Sequence, residues 1–267
     1  MTQNYAPEEF LINALAAELD SVDHVAVGAL SPVPGSAALL AQALSDGEQE
    51  AGQEARTGAA LSGPGQGHKM RVSIIHGDAN NPFTDGGREL FDCAGQGRIG
   101  AFFLGGAQID GEANINLLGV GPYPNLDKRF NGSFGSAYVY FVIPKIILFA
   151  PDHSRRVLVD KVDFISAPGT SAPDVHRPGG PKVLMTGKCV MDFDADRKRF
   201  TLKSVHPGVT VEEVLDNTGF DFDVPEDVPE TPAPDAERLQ LIRTTVGPEI
   251  AKTYPGFAQQ VLGFQGG

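Results

Sequence analysis

Gly97–Asn116 reads GRIGAFFLGGAQIDGEANIN. Its apolar run, Ile99–Leu104, breaks directly into a glycine pair with no polar spacer. A short apolar stretch closed by glycine is the pattern of a strand buried on both faces, and such strands belong to sheets covered by helices. Strand-like runs recur at His24–Leu30, Arg71–Ile75, Val157–Val162 and Lys182–Phe193. Tyr138–Phe149 reads as a helix and a strand divided near Pro144. Between them lie helical patterns. Phe10, Leu11, Ala14, Leu15 and Leu19 share a face over Pro7–Leu19, and Ala37–Leu44 follows the turn SPVPGS. The alternation predicts an α/β fold, an open layered sheet with helices on both faces.

The rest of the chain qualifies that frame. Ser45–His68 is polar and rich in Gly, Glu and Gln, which predicts a surface excursion, helical in part. At Phe220 the character changes: DFDVPEDVPETPAPDAE, Asp221–Glu237, is acidic, proline-rich and too poor in apolar residues to form core. It predicts an extended arm over the surface. Ala236–Val246 then sets Leu239, Ile242 and Val246 on one helical face, predicting a helix that docks on its own domain or on a partner. The expected division is an α/β domain over 1–220, then the arm and docking helix over 221–267.

Composition narrows the function. With 41% hydrophobic and 21% charged residues, the 267-residue chain is an ordinary globular one. A formal charge of -13 repels phosphate backbones and anionic membranes, so neither nucleic acid nor a membrane is an expected partner. Cys93 and Cys189 are too few and too far apart for a disulfide framework. The N-terminal stretch carries acids where a signal peptide needs a basic start, which predicts a cytoplasmic protein. The six histidines lack metal-ligand spacing, and no metal site is predicted.

Three loops carry candidate chemistry. Gly105–Asn116 follows the strand AFFL, and glycines at a strand's carboxyl end let the backbone approach a ligand and offer N–H groups to an oxyanion. Its candidate binding residues are Gly105, Gly106, Gln108 and Asn114. GSFGSA, Gly132–Ala137, is a second small-residue turn, with Ser133 and Gly135 as candidates; tight packing explains either loop as well. SIIHGDANNPF, Ser73–Phe83, runs a strand into a polar turn bearing His76, Asp78 and Asn80. A carboxylate there serves as base or nucleophile, or merely closes an Asx-turn. In VHPGVTVEEV, Val205–Val214, Thr210 and Glu213 form a capping-box pattern, and His206 before proline reads as structural.

Taken in order, IIHGDAN, GRIGAFFLGGAQIDGEANIN, GSFGSA, RRVLVDKVDFISAPG, GGPKVLMTGKCVMDFD and SVHPGVTVEEVLDNTGFDF resemble the β subunits of family I coenzyme A transferases, the glutaconate CoA-transferase branch in particular. The resemblance implies an open α/β sheet, a separately encoded α subunit of related fold, and an active site at the interface between the two. It implies no permanent cofactor; coenzyme A enters as a substrate thioester. In that family a β-subunit glutamate in an SExG-like turn attacks an acyl-CoA, giving an anhydride and then a glutamyl-CoA thioester. Aligning IIHGDAN on that turn places Asp78 at the glutamate, with His76 two residues earlier; a slight shift of register places His76 there instead. No glutamate fits either way, and an aspartate is one methylene shorter. Members of the same family cleave carbon–carbon bonds hydrolytically in CoA thioesters of ring compounds, as in bacterial steroid breakdown, and lack the usual nucleophile in this subunit.

Two readings follow, CoA transfer between carboxylic acids and hydrolysis with Asp78 or His76 as base. A third is a non-catalytic scaffold subunit. A dinucleotide-dependent oxidoreductase is disfavoured because GxGxxG is absent. Lys128–Arg129, Arg155–Arg156 and Arg197–Arg199 are the candidate cations for anionic CoA.

Overall fold

In a computed structural model of the protein, residues 4–56, 70–77 and 79–264 are described. The chain forms two compact units, Met1–Gly86 with Ala233–Gly267, and Gly87–Pro232.

The first unit opens with α1 (Pro7–Ala17), β1 (His24–Val27), α2 (Pro32–Arg56) and β2 (Arg71–Ile74). β1 and β2 pair in parallel, His24 opposite Arg71 and Val27 opposite Ile74, with α2 as the crossover. α1 starts on a proline whose missing N–H costs nothing in a first turn, and Glu9 accepts from the Ala6 N–H at 2.8 Å. The SPVPGS stretch is the opening of α2 rather than a turn before it, because Pro32 and Pro34 suit a helix start. α2 continues to Arg56, so the polar excursion is helical in its first part; 57–69 lie outside the described residues.

The second unit comprises α3 (Gly86–Gly95), β3 (Ala101–Leu104), β4 (Gln108–Ile109), β5 (Ile115–Asn116), β6 (Gly119–Val120), β7 (Lys128–Arg129), α4 (Ser136–Val142), β8 (Lys145–Ala150), β9 (Pro181–Thr186), β10 (Cys189–Asp194), β11 (Arg199–Val205) and α5 (Val211–Asn217). Its main sheet runs β3-β8-β9-β10-β11. The first three strands are parallel and the last two antiparallel. Ile146, Ile147, Leu148, Leu184 and Met185 are fully buried, as an apolar run without alternation requires.

Several expectations need correction. Val157–Val162 is not a strand. Asp160 and Lys161 interrupt its apolar run, and its ladder is one bridge between Ile109 and Leu158. Lys182–Phe193 is not one strand but the hairpin β9–β10, closed where the Thr186 hydroxyl oxygen accepts from the N–H groups of Lys188 and Cys189, both at 3.1 Å. β11 lies outside the expected strands, although Phe200, Leu202 and Ser204 alternate inward in it. Thr210 caps α5 by accepting from the Glu213 N–H at 3.2 Å, but the Glu213 carboxylate pairs with Lys188 instead of completing a capping box.

The acidic stretch is an extended arm along β11. Asp223 accepts from the Leu202 N–H and donates to the Phe200 carbonyl, and Thr231 donates to the Val205 carbonyl, which satisfies strand-edge groups otherwise left open. Phe220 and Phe222 anchor the arm; the Phe220 ring stacks 5.5 Å from Phe200. The chain then returns to the first unit as α6 (Ala236–Leu241), a π-helical turn (Ile242–Val246) and α7 (Gly247–Ala251), packed on α2, and α8 (Pro255–Val261), packed on α7. Arg243 grips the buried Glu9 carboxylate with two bonds, at 2.7 and 2.9 Å, and Arg238 reaches Asn13 at 3.0 Å.

Candidate functional site

β3 ends at Leu104 and delivers Gly105 and Gly106 at its carboxyl end. Behind them the short ladder of β4 and β5 folds the chain back, Gln108 opposite Asn116. The Ala107 N–H donates to the Asn116 carbonyl at 2.8 Å, whereas the N–H groups of Gly105 and Gly106 have no acceptor among the described residues. Gly105 is exposed and Gly106 half-buried. Two successive unengaged donors at a strand end are a means of holding a carbonyl oxygen as it gains negative charge.

The side chains around this pair build its frame. Gln108 is buried; its oxygen accepts from Asn116 Nδ2 at 2.7 Å and the Asp163 N–H at 3.0 Å, and its amide donates to Asp163 Oδ2 at 3.1 Å. Asn114 donates to Asp110 Oδ2 at 3.1 Å and accepts from the Gly169 N–H at 3.1 Å. Asp110 also accepts from the backbone N–H groups of Glu112 and Asn114. Both amide side chains are therefore hydrogen-bonded within the chain. Tyr140 on α4 ties this frame to the sheet: its hydroxyl donates to the Ala113 carbonyl at 2.6 Å. Burial raises the Tyr140 phenol well above its ordinary pKa, so it stays a donor.

α4 lies between β3 and β8 in sequence and runs against them, so the turn GSFGSA enters it at the strands' carboxyl end, as Gly105 leaves β3. Ser133 and Gly135 are half-buried there, and the Ser133 carbonyl accepts from the Ser136 N–H at 2.8 Å. Phe91 of α3 crosses the backbone of Gly135, where a β-carbon would meet the ring at 1.9 Å. Only glycine fits.

In the first unit, β2 ends at Ile74 and turns at once. His76 is exposed and sits at φ +64, a left-handed backbone uncommon for a side-chain-bearing residue. The turn is closed by the Gly77 N–H donating to the Ile74 carbonyl at 3.0 Å, and Asn80 returns its carbonyl to the Ile74 N–H at 2.9 Å. Asp78 lies outside the described residues.

Other titratable groups are occupied structurally. His153 is buried, bonded to the hydroxyls of Thr186 at 2.8 Å and Thr218 at 3.1 Å; burial pulls it down to about 4. His206, also lowered by burial, bonds Thr231 and the Thr186 carbonyl. Both cysteines are free, and burial pushes the Cys189 thiol up to about 12. Among the candidate cations, Arg156 pairs with Asp152, and Arg197 and Arg199 pair with Asp223. A cavity of about 670 Å³, lined in part by Asp110, Glu112, Lys161 and Lys198, adjoins the β10–β11 turn at the amino end of β9, away from the glycine pair's end of the sheet. Among the described residues no cluster of His, Cys, Asp or Glu is arranged to hold a metal ion, and no helix is long and apolar enough to cross a membrane.

This arrangement has relatives. The family model for coenzyme A transferase matches residues 9–217. The chain belongs to the coenzyme A transferase family. It is 37% identical over 153 residues to a subunit of the glutaconate CoA-transferase of Acidaminococcus fermentans, 55% of this chain and 56% of that one. It is 31% identical over 165 residues to the cholesterol ring-cleaving hydrolase IpdB subunit of Rhodococcus jostii, 60% of this chain and 64% of that one. This coenzyme A transferase family member thus spans little more than half the length of these curated relatives. The solved glutaconate coenzyme A-transferase of A. fermentans shares its fold, with a TM-score of 0.73 at 23% identity over 98% of this chain and 99% of that one.

The turns carrying Gly105 and His76 follow strands β3 and β2, as expected, and the small-residue turn GSFGSA leads into α4. What the sequence did not disclose is the partner of Gln108: Asp163 lies 55 residues downstream. The organising role of Asp110 did have a signal, since Asp-Gly-Glu after a strand is an Asx-turn pattern.

Proposed function

We propose that this chain is the β subunit of a heteromeric enzyme acting on acyl-CoA thioesters, with a companion α subunit of related fold, and that it transfers CoA between carboxylic acids. The observation that carries the reading is the pair of unengaged N–H groups at Gly105 and Gly106, on a loop held rigid by the Gln108, Asn116 and Asp163 bonds. Such donors stabilise the tetrahedral oxyanion of thioester attack without reorganising. Ser133, Gly135 and Asn80 are proposed to contact the substrate from their own strand-end turns, while Gln108 and Asn114 act by holding the glycine pair in place. Coenzyme A serves as substrate, and no permanent cofactor is needed for this chemistry.

In transfer, the Asp78 carboxylate attacks the thioester carbonyl and expels CoA thiolate, leaving a mixed anhydride. The thiolate attacks the aspartyl carbonyl of that anhydride and releases the first acid. The resulting aspartyl-CoA thioester passes CoA to the second acid by the same steps in reverse. A second reading has its own support: His76 is an exposed imidazole on strained backbone at a strand's carboxyl end, in a turn without glutamate. Strain kept at such a position points to use. There His76 takes a proton from water as the hydroxide adds to a substrate carbonyl, and the products leave without a covalent enzyme adduct.

One experiment separates them. The chain is co-expressed with its neighbouring α-like subunit and incubated with acyl-CoA in oxygen-18 water, without acceptor. Transfer predicts a CoA-sized mass increment on this chain, abolished by Asp78→Asn. Hydrolysis predicts no increment, labelled product, and loss of turnover in His76→Gln. Full activity in both variants refutes both roles.

A further inference from the structure

Backbone strain persists only where the surroundings over-determine it, so the left-handed His76 requires something that holds it. Ile74–Gly77 forms a β-turn, closed by the Gly77 N–H at the Ile74 carbonyl, with His76 in its third position at φ +64. That position favours glycine, and a glycine stands one residue later. Sliding the turn by one residue would put Gly77 there and release the histidine. Three contacts oppose the slide. Two are backbone bonds: the Ile75 N–H donates to the Val27 carbonyl at 3.0 Å, and the Ile74 N–H to the Asn80 carbonyl at 2.9 Å. The third is a side chain from the C-terminal part of the same unit. Gly77 is buried, and a β-carbon on it would meet Thr253 Oγ1 at 2.9 Å, ahead of the Ile74 carbonyl oxygen at 3.0 Å.

The segment that carries Thr253 is itself pinned. The N–H groups of Thr253 and Tyr254 both donate to the Ile250 carbonyl, at 3.1 and 2.8 Å, where α7 ends. Ile250 is fully buried beside Gly35 of α2, where a β-carbon would meet its Cδ1 at 3.1 Å. The Tyr254 hydroxyl accepts from the Ser31 N–H at 3.3 Å, at the entry to α2 that follows β1. β1 and β2 are parallel neighbours, Val27 opposite Ile74. Successive residues of this segment thus meet neighbouring strand-end turns, Tyr254 the one after β1 and Thr253 the one after β2.

We propose that Thr253 is a positioning residue, a clamp that bears on Gly77 and keeps His76 in its left-handed conformation. The inference rests on the reading that gives this turn the chemistry, and goes beyond it by naming what holds the turn. Thr253 acts on the reaction only through that turn. A reacting side chain fixed from outside its own loop meets substrate already oriented.

The test is a double-mutant cycle in the assembled complex. His76→Gly removes the strain, and its cost in unfolded-state entropy is the same in every background, so that cost cancels in the cycle. Thr253→Ala removes the atom that bears on Gly77, and Thr253→Ser keeps it. Thermal denaturation should show His76→Gly more favourable by about 2–4 °C in the wild type than in Thr253→Ala, where the turn has already relaxed, with the difference restored in Thr253→Ser. Consumption of acetyl-CoA and of glutaryl-CoA, with propionate present as acceptor, should show kcat about tenfold lower in Thr253→Ala at unchanged KM, and recovered in Thr253→Ser. Additive melting shifts overturn the clamp and leave the acyl-CoA reading intact. Coupled shifts with unchanged kcat mean that the clamp positions no reacting group, which overturns the assignment and removes this turn from the chemistry. A wild-type complex that consumes neither ester overturns the positioning role and the acyl-CoA reading together.

Discussion

A single β-carbon at Gly106 tests whether the strand-end loop is the reacting cradle. In Gly106→Ala the added atom meets the Gln108 carbonyl oxygen at 2.7 Å and the Ile115 β-carbon at 3.3 Å. The first neighbour is backbone inside the β4–β5 ladder and cannot rotate away. Restoring van der Waals distance requires about 0.5–1 Å of loop movement, and such overpacking costs about 1–3 kcal/mol. The same shift displaces the two unengaged N–H groups, and misplacement on that scale lowers turnover by about ten- to a hundredfold. Stability and activity therefore fall together. Gly97→Ala, at φ +70 with open space around it, is the control for generic glycine loss and leaves turnover unchanged. Thermal denaturation and kcat/KM of the assembled complex read both effects. A Gly106→Ala protein with wild-type melting and wild-type turnover refutes the geometry and the role assigned to it.

Other predictions follow from groups away from that loop. His153 is held near pKa 4 in the fold against about 6.5 when unfolded. Its neutral form is the folded one, so its contribution is fully present above pH 6.5 and is lost as pH falls towards 4; about 2–3 kcal/mol is at stake. Denaturant melts from pH 7 to 4.5 should show a loss that His153→Gln lessens, and an identical pH slope in the variant counts against the assignment. Arg243→Ala leaves the buried Glu9 carboxylate with the Ala6 N–H as its remaining partner and should lower stability by about 2 kcal/mol, read by urea denaturation at pH 7. Glu9 opposes the penalty of its burial through Arg243 and the Ala6 N–H, which leave it below its ordinary pKa. Stability from this pair is therefore present above about pH 4.3 and lost as pH falls below it.

Much of the sheet was readable because period and breakers agree in it. Ile99–Leu104 and Tyr138–Phe149 carry apolar runs cut by glycine or proline, and β3, α4 and β8 lie where those cuts put them. The failures share one cause, that an apolar run does not state whether it finds a ladder. Val157–Val162 is apolar at three positions in a row yet contributes a single bridge, while RFTLKSV became a full strand because β10 and the acidic arm were there to flank it. The same limit governs the site. The strand end at Gly105 and Gly106 was legible because an apolar run closed by a glycine pair marks one, whereas the three bonds that hold Gln108 within the chain were not. A side chain that a strand end offers to view can thus be frame, and its bonds within the chain decide which it is.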